Sequence, residues 1–265
     1  MADKDVRKYL VVKGNDLIQK AKFNLSETEQ KLVAMCIASI KPDATELPNY
    51  KIRVDKFAAL CGVSKKHLYT DFREIVDKIS EKAVWVKMPD GKVTRFNWFP
   101  YASYYEGEGY VELSLHKDLK PYLLDMHKNF TGYEIWNILC LRGKYSIRLY
   151  ELMASYLNLG TIEIPMDQLR ESLCAENYKN FKDFKARVLE KSIIEINQKT
   201  NLTVNYETKR GGRGGKVASI VFTIDTKPKY LSTAAYEQYT EQFDDTNTQV
   251  VGQMSMFDFI NDTRE

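Results

Sequence analysis

One order of element types, made twice, restricts this 265-residue chain more than any single motif. In the first half, LSETEQKLVAMCIASI begins with Ser26 and Glu29 at capping-box spacing and continues with apolar residues at helical spacing. The alternating stretch YKIRV reads as a strand. DKFAALCGVSKKHLYTDFREIVDKIS then gives two helical patterns parted by Gly62-Val63-Ser64. AVWVKMPDGKVTRFNWF reads as a hairpin turning at Pro89-Asp90-Gly91. The second half repeats the series. LRGKYSIRLYELMASYL is a helix, TIEI a strand and PMDQLRESLCAE a helix opened by Pro165. NFKDFKARVLEKSIIEINQKT is a longer helix, and LTVNYETK and KVASIVFTI are strands. Local echoes accompany the order: Leu60-Cys61 against Leu173-Cys174, and TDFREI against KDFKAR.

Helix, strand, helix, helix and hairpin is the order of a winged-helix module, so the chain is expected to be α+β with two such modules in tandem. The boundaries place the first module at 1–128, the second at 129–228 and an acidic, flexible tail at 229–265.

The glycine-rich YETKRGGRGGKVASI holds four glycines and four basic residues within Lys209–Lys216. A phosphate-cradling P-loop needs a glycine where Arg210 stands, and Ser or Thr where Val217 stands. A disordered basic tether conflicts with strand patterns on both sides. The stretch is therefore expected to turn between two wing strands, its glycines supplying positive φ.

The helical patterns divide into inward and outward faces. Leu68, Phe72, Ile75 and Ile79 are expected inward, leaving Lys65, Lys66, His67, Tyr69, Thr70 and Arg73 toward a groove. In the second module Phe181, Phe184, Val188, Ser192 and Ile196 form the inward stripe, and Asn180, Lys182, Asp183 and Arg187 face outward. Basic wing residues suit phosphate or the minor groove: Lys92 and Arg95 in the first hairpin, Lys209, Arg210, Arg213 and Lys216 in the second. Arg142, Lys144, Tyr145 and Arg148 begin the helix supporting the second module and are further phosphate candidates, capping or solvation of that helix being the competing reading.

Charge placement agrees with a polyanionic partner. From residue 231 onward there are seven acidic residues and one basic, leaving 38 basic against 29 acidic before it. No apolar run reaches membrane-spanning length, and the charged start MADKDVRKYL lacks a secretory signal's apolar stretch, so a cytoplasmic protein is expected. Cys36, Cys61, Cys140 and Cys174 read as buried free thiols. The three histidines, His67, His116 and His127, lack metal-ligand spacing, and no nucleophile-elbow, CxxC or paired-acid motif stands on a defined element. Neither catalysis nor a cofactor is expected.

The chain resembles the theta-type replication initiators of iteron plasmids, Rep proteins with tandem winged helices. The resemblance runs from about Val11 to Ile224. It opens at VVKGNDLIQKAKFNLSETEQKLV and is sharpest at YSIRLYELMASYL and NYKNFKDFKARVLEKSIIEINQKTNLTVNYE. It implies that the second winged helix makes the main contact with tandem origin repeats in duplex DNA, and that the first adds DNA contacts and dimerisation. It also implies opening of an AT-rich segment and recruitment of the host initiator and replicative helicase. A repressor or partition protein with the same modules, and a DNA-nicking Rep enzyme, are the competing readings. In the tail, Gln253-Met254-Ser255-Met256-Phe257 resembles the bacterial sliding-clamp-binding peptide, with methionine at two leucine positions. Packing of this apolar knot back onto the body is the alternative.

Overall fold

The computed structural model describes residues 10–41, 43–61, 68–88, 91–105, 107–124, 129–211 and 215–228. The chain enters through strand β1 (Leu10–Gly14), the short helix α1 (Asn15–Gln19) and helix α2 (Glu27–Ala38). Ser26 caps α2 as the spacing predicts: its side chain accepts from Glu29 N–H, and the Glu29 carboxylate accepts from Ser26 N–H. Strand β2 (Asn49–Arg53), helix α3 (Val54–Cys61) and helix α4 (Leu68–Glu81) follow. Then come β3 (Ala83–Lys87), β4 (Val93–Asn97), β5 (Tyr101–Tyr105) and β6 (Tyr110–Ser114). Helix α5 (Lys120–Leu123), strand β7 (Phe130–Glu134) and helix α6 (Trp136–Leu139) lead to helix α7 (Lys144–Tyr156).

From α7 the second module runs through β8 (Thr161–Pro165), α8 (Met166–Ser172), α9 (Phe181–Phe184), a π-helical turn at Lys185–Leu189 and α10 (Glu190–Lys199). Strands β9 (Leu202–Gly211) and β10 (Lys216–Thr226) close it.

The two modules share a sheet topology. In the second, β8 lies beside β10 and β10 beside β9, with Ile164 opposite Ile220. In the first, β2 lies beside β6 and β6 beside β5, with Tyr50 opposite Leu113. The hairpin matching the second wing is thus β5–β6. The expected wing, β3–β4, is a separate two-stranded sheet inserted between α4 and β5, tied to the body by a bridge from Trp85 to Lys22. Both hairpins are two short strands rich in apolar and aromatic residues around a turn. Only the long-range pairing with β2 distinguishes them, and local propensity carries no record of it.

Strands β1 and β7 pair antiparallel, Leu10 opposite Glu134, across the sequence boundary drawn at residue 128. Helix α7 packs against α1, α2 and α10. One continuous core includes Met35, Phe72, Trp98 and Trp136 as well as Leu149, Phe184, Val188 and Phe222. Three of the four free cysteines are buried, while Cys174 is half-exposed.

Candidate nucleic-acid interface

In the second module the Asn180 side chain caps the helix that follows, accepting from Lys182 N–H at 2.9 Å. Phe184, Val188, Ser192 and Ile196 are buried, with Phe181 packed at their edge, so the residues expected inward are inward. Lys182, Asp183 and Arg187 are exposed on the opposite side, together with Lys191, which the sequence reading omitted. Its signal was available: Lys191 stands four residues beyond Arg187.

The second wing is a long ladder from Leu202 opposite Thr226 to Gly211 opposite Lys216, with an irregularity between Val217 and Ser219. Gly215 has φ +62°, the conformation the glycine-rich turn was expected to need. At Gly211 a Cβ would stand 3.0 Å from that of Ala218, so cross-strand space also favours glycine there. Arg210 and Lys216 are exposed near the tip. Lys209 is held: its Nζ lies 2.5 Å from the Glu163 carboxylate, which also accepts from Ser219 Oγ at 2.5 Å. The hydrogen bond from Lys209, then that from Ser219, holds the Glu163 carboxyl below its ordinary range. Glu163 is a partner that the sequence reading did not connect with the wing.

The first module presents a different surface. Phe72, Val76 and Ile79 are buried and Ile75 is half-buried, so α4 turns Tyr69, Thr70 and Arg73 outward. Arg73 stacks over the Tyr104 ring at 5.0 Å, and the Tyr104 hydroxyl donates to Asp77 at 2.8 Å. A cleft of about 390 Å³ between α4 and β5–β6 is lined by Tyr69, Arg73, Tyr104, Tyr105 and Tyr110. The described residues of this wing carry Glu108 and Glu112 and no lysine or arginine. Lys92 and Arg95, expected on the wing, stand exposed on the inserted β3–β4 hairpin, where Arg95 lies 5.9 Å over the Trp85 ring.

The start of α7 corrects one expectation. Arg148 is buried and cannot meet a phosphate: its guanidinium donates to the carbonyls of Ser172 at 3.0 Å and Ile18 at 3.1 Å and lies 4.2 Å over the Phe23 ring. The helical spacing of Arg148 does not reveal that the α1 segment and α8 close over it. Arg142 is partly engaged, donating to the Cys61 carbonyl at 2.7 Å, with its backbone N–H held by Glu195 at 2.8 Å. Lys144 donates to Asn24 at 3.2 Å. The Tyr145 hydroxyl is pushed up to about 12 by burial and by neighbouring Tyr178. Lys65, Lys66, His67, Arg213 and the clamp-like residues Gln253, Met254, Ser255, Met256 and Phe257 lie outside the described residues.

Residues 10–154 match the WH1 model of initiator replication proteins, and residues 165–224 match the WH2 model of initiator Rep proteins. The chain belongs to the initiator Rep family. It is 25% identical over 228 residues to a replication initiation protein of Escherichia coli, over 82% of this chain and 69% of that one. It is 24% identical over 254 residues to the PI protein of Escherichia coli, over 82% and 83% of the two chains. The crystal structure of Pi initiator protein in complex with iteron DNA matches with a TM-score of 0.69 at 22% identity, over 84% of this chain and 99% of that one. That likeness establishes the fold: two winged-helix domains, as the repeat of elements predicts. The WH1 match extends to Ala154 and so takes in most of α7, the helix that both modules share. No helix among the described residues of this Rep protein is long and apolar enough to cross a membrane.

Proposed function

We propose that this Rep protein initiates plasmid replication by binding tandem repeats in origin DNA. The observation that carries the reading is the second module's surface, a capped helix with Lys182, Asp183 and Arg187 outward beside a wing bearing Lys209, Arg210 and Lys216. A helix of this kind fits the major groove while wing cations take phosphate. The solved relative's iteron DNA supports the same use of the fold.

Residues 129–228 make the main contact in this proposal, and residues 1–128 add contacts and pair two copies. The edge position of β5 supports the pairing: among the described residues one side of Tyr101–Tyr105 pairs with no strand, and the strand has no charged residue, the kind of edge that accepts another strand. Opening of an AT-rich segment and recruitment of host initiator and helicase follow from the resemblance. The tail peptide Gln253–Phe257 is assigned to the sliding clamp. Its deletion is expected to abolish clamp pull-down, and unchanged retention would end that assignment.

Footprinting on the DNA flanking the protein's own gene, at fixed salt against scrambled competitor, tests the central reading. Regularly spaced protection over direct repeats is the expected result. Protection of a single inverted repeat at the promoter would make repression the main activity, and no protection beyond competitor would refute sequence-specific binding.

A further inference from the structure

The helix that follows Asn180 is not wound as one α-helix. Its buried face carries Phe184, Val188, Ser192 and Ile196, every step four residues long, with Leu189 and Ile193 beside them. At about 100° per residue each such step overshoots a full turn by about 40°, so an α-helix would carry Ile196 about 120° away from Phe184. Both are nevertheless fully buried. The chain reconciles spacing and core by under-winding: Lys185–Leu189 form a π turn, closed by Glu190 N–H donating to the Lys185 carbonyl five residues back. One residue absorbed in that turn leaves Phe184 and Ile196 within about 20° of a common face.

The same winding acts on the outer side. Asp183, Arg187 and Lys191 are also spaced by four, and all three are exposed. The π turn therefore keeps them in one row along the helix axis, where an α-helix would wrap them progressively around it. An exposed carboxylate beside Lys182 and Arg187 is repelled by phosphate but can accept from the amino group of cytosine, while arginine suits guanine. Lysine suits the phosphate at the end of such a row.

We infer that the π turn determines sequence specificity by aligning Asp183, Arg187 and Lys191 along one DNA strand. Asp183 and Arg187 read successive base edges, and Lys191 holds the backbone. This rests on the proposal that the second module's helix meets DNA.

The test is selection from a randomised duplex library with full-length wild type and with a chain lacking Ala186, the exposed residue whose removal lets the helix wind regularly. Wild type enriches a consensus. The deletion is expected to lose roughly 10- to 100-fold in affinity for that consensus and much less for scrambled duplex, where only the Lys191 backbone contact is disturbed. Single variants in the intact helix give an independent reading. Asp183→Ala relaxes the consensus at one position, Arg187→Ala relaxes an adjacent position on the same strand, and Lys191→Gln weakens selected and scrambled duplex alike. An unchanged consensus and affinity in a folded deletion chain would overturn the role of the π turn. If the deletion does not fold, relaxation at positions on opposite strands, or at neither, would overturn it. A wild-type chain that enriches no consensus would bring down the DNA-binding proposal itself.

Discussion

Lys13 Nζ lies 2.5 Å from a Glu151 carboxylate oxygen, joining side chains 138 positions apart that are both buried. The Tyr133 hydroxyl donates to the same oxygen, and Arg148 approaches the other at 3.5 Å. Strand β1, strand β7 and helix α7 thus converge on one carboxylate. A buried charge is tolerated when its partners satisfy it, and removing one partner is far more damaging than the net worth of the pair suggests.

Glu151 gives the chain an acid-sensitive element. Burial pushes its carboxyl upward, but the charges of Lys13 and Arg148 and the hydrogen bonds from Lys13 and Tyr133 outweigh it and hold the group below its ordinary 4.5. A carboxyl depressed in the folded state contributes stability above its unfolded value and loses it as pH falls through the folded one. Urea melts from neutrality to below pH 4.5 should therefore show a falling wild-type curve. Glu151→Gln should start lower at neutral pH, by about 3–5 kcal/mol, with a flatter acid limb. An acid limb of equal slope in the two proteins would show that Glu151 is not the group responsible.

Arg148→Met separates a structural role from a phosphate role. It leaves the carbonyls of Ile18 and Ser172 without their donor and Glu151 with one cation fewer. Stability should fall by about 3–5 kcal/mol. In the fraction that remains folded, the dependence of DNA affinity on salt should stay as in wild type. A phosphate contact would instead lower the slope by about 0.9, so that outcome would return Arg148 to the interface.

At the second wing, Glu163 holds Lys209, and in the proposed interface it would compete with DNA for that side chain. Glu163→Gln should raise affinity for scrambled duplex at low salt and steepen the salt slope by about 0.9. Fluorescence anisotropy across a salt series reads both quantities. Unchanged values would mean that Lys209 stays off the phosphate even when released.

Gly143 marks a close approach between α7 and α10. A Cβ there would stand 2.5 Å from Ser146 Oγ and 3.3 Å from Glu195 Oε2, the oxygen that accepts from Gly143 N–H at 3.1 Å. Gly143→Ala should displace the Glu195 carboxylate and cost about 1–3 kcal/mol in thermal or urea unfolding. Wild-type stability would show that Ser146 rotates away and leaves the Glu195 bonds intact.

The amino-acid sequence by itself determined the repeated series of elements and the inward faces of α4 and of the helix that follows Asn180, but not β1, α1, β5, β6 or β7. Ser26 and Glu29 could be read as a cap, and Phe184, Val188, Ser192 and Ile196 as apolar or small residues recurring every four, because both signals lie within a few positions; the π turn that brings the four onto one face was not legible. The glycine-rich turn was legible for the same reason, Gly215 needing a positive φ. Tertiary structure alone decided which hairpin became the first wing, since the pairing of Tyr50 with Leu113 joins strands 63 positions apart. It also decided the fate of the cations. Arg148 shares a helix with Lys144, yet carbonyls from α8 and the α1 segment enclose it, while Glu163 on β8, reaching across β10, restrains Lys209 on β9. A charged side chain's role is set by what folds over it, and those partners arrive from distant parts of the chain.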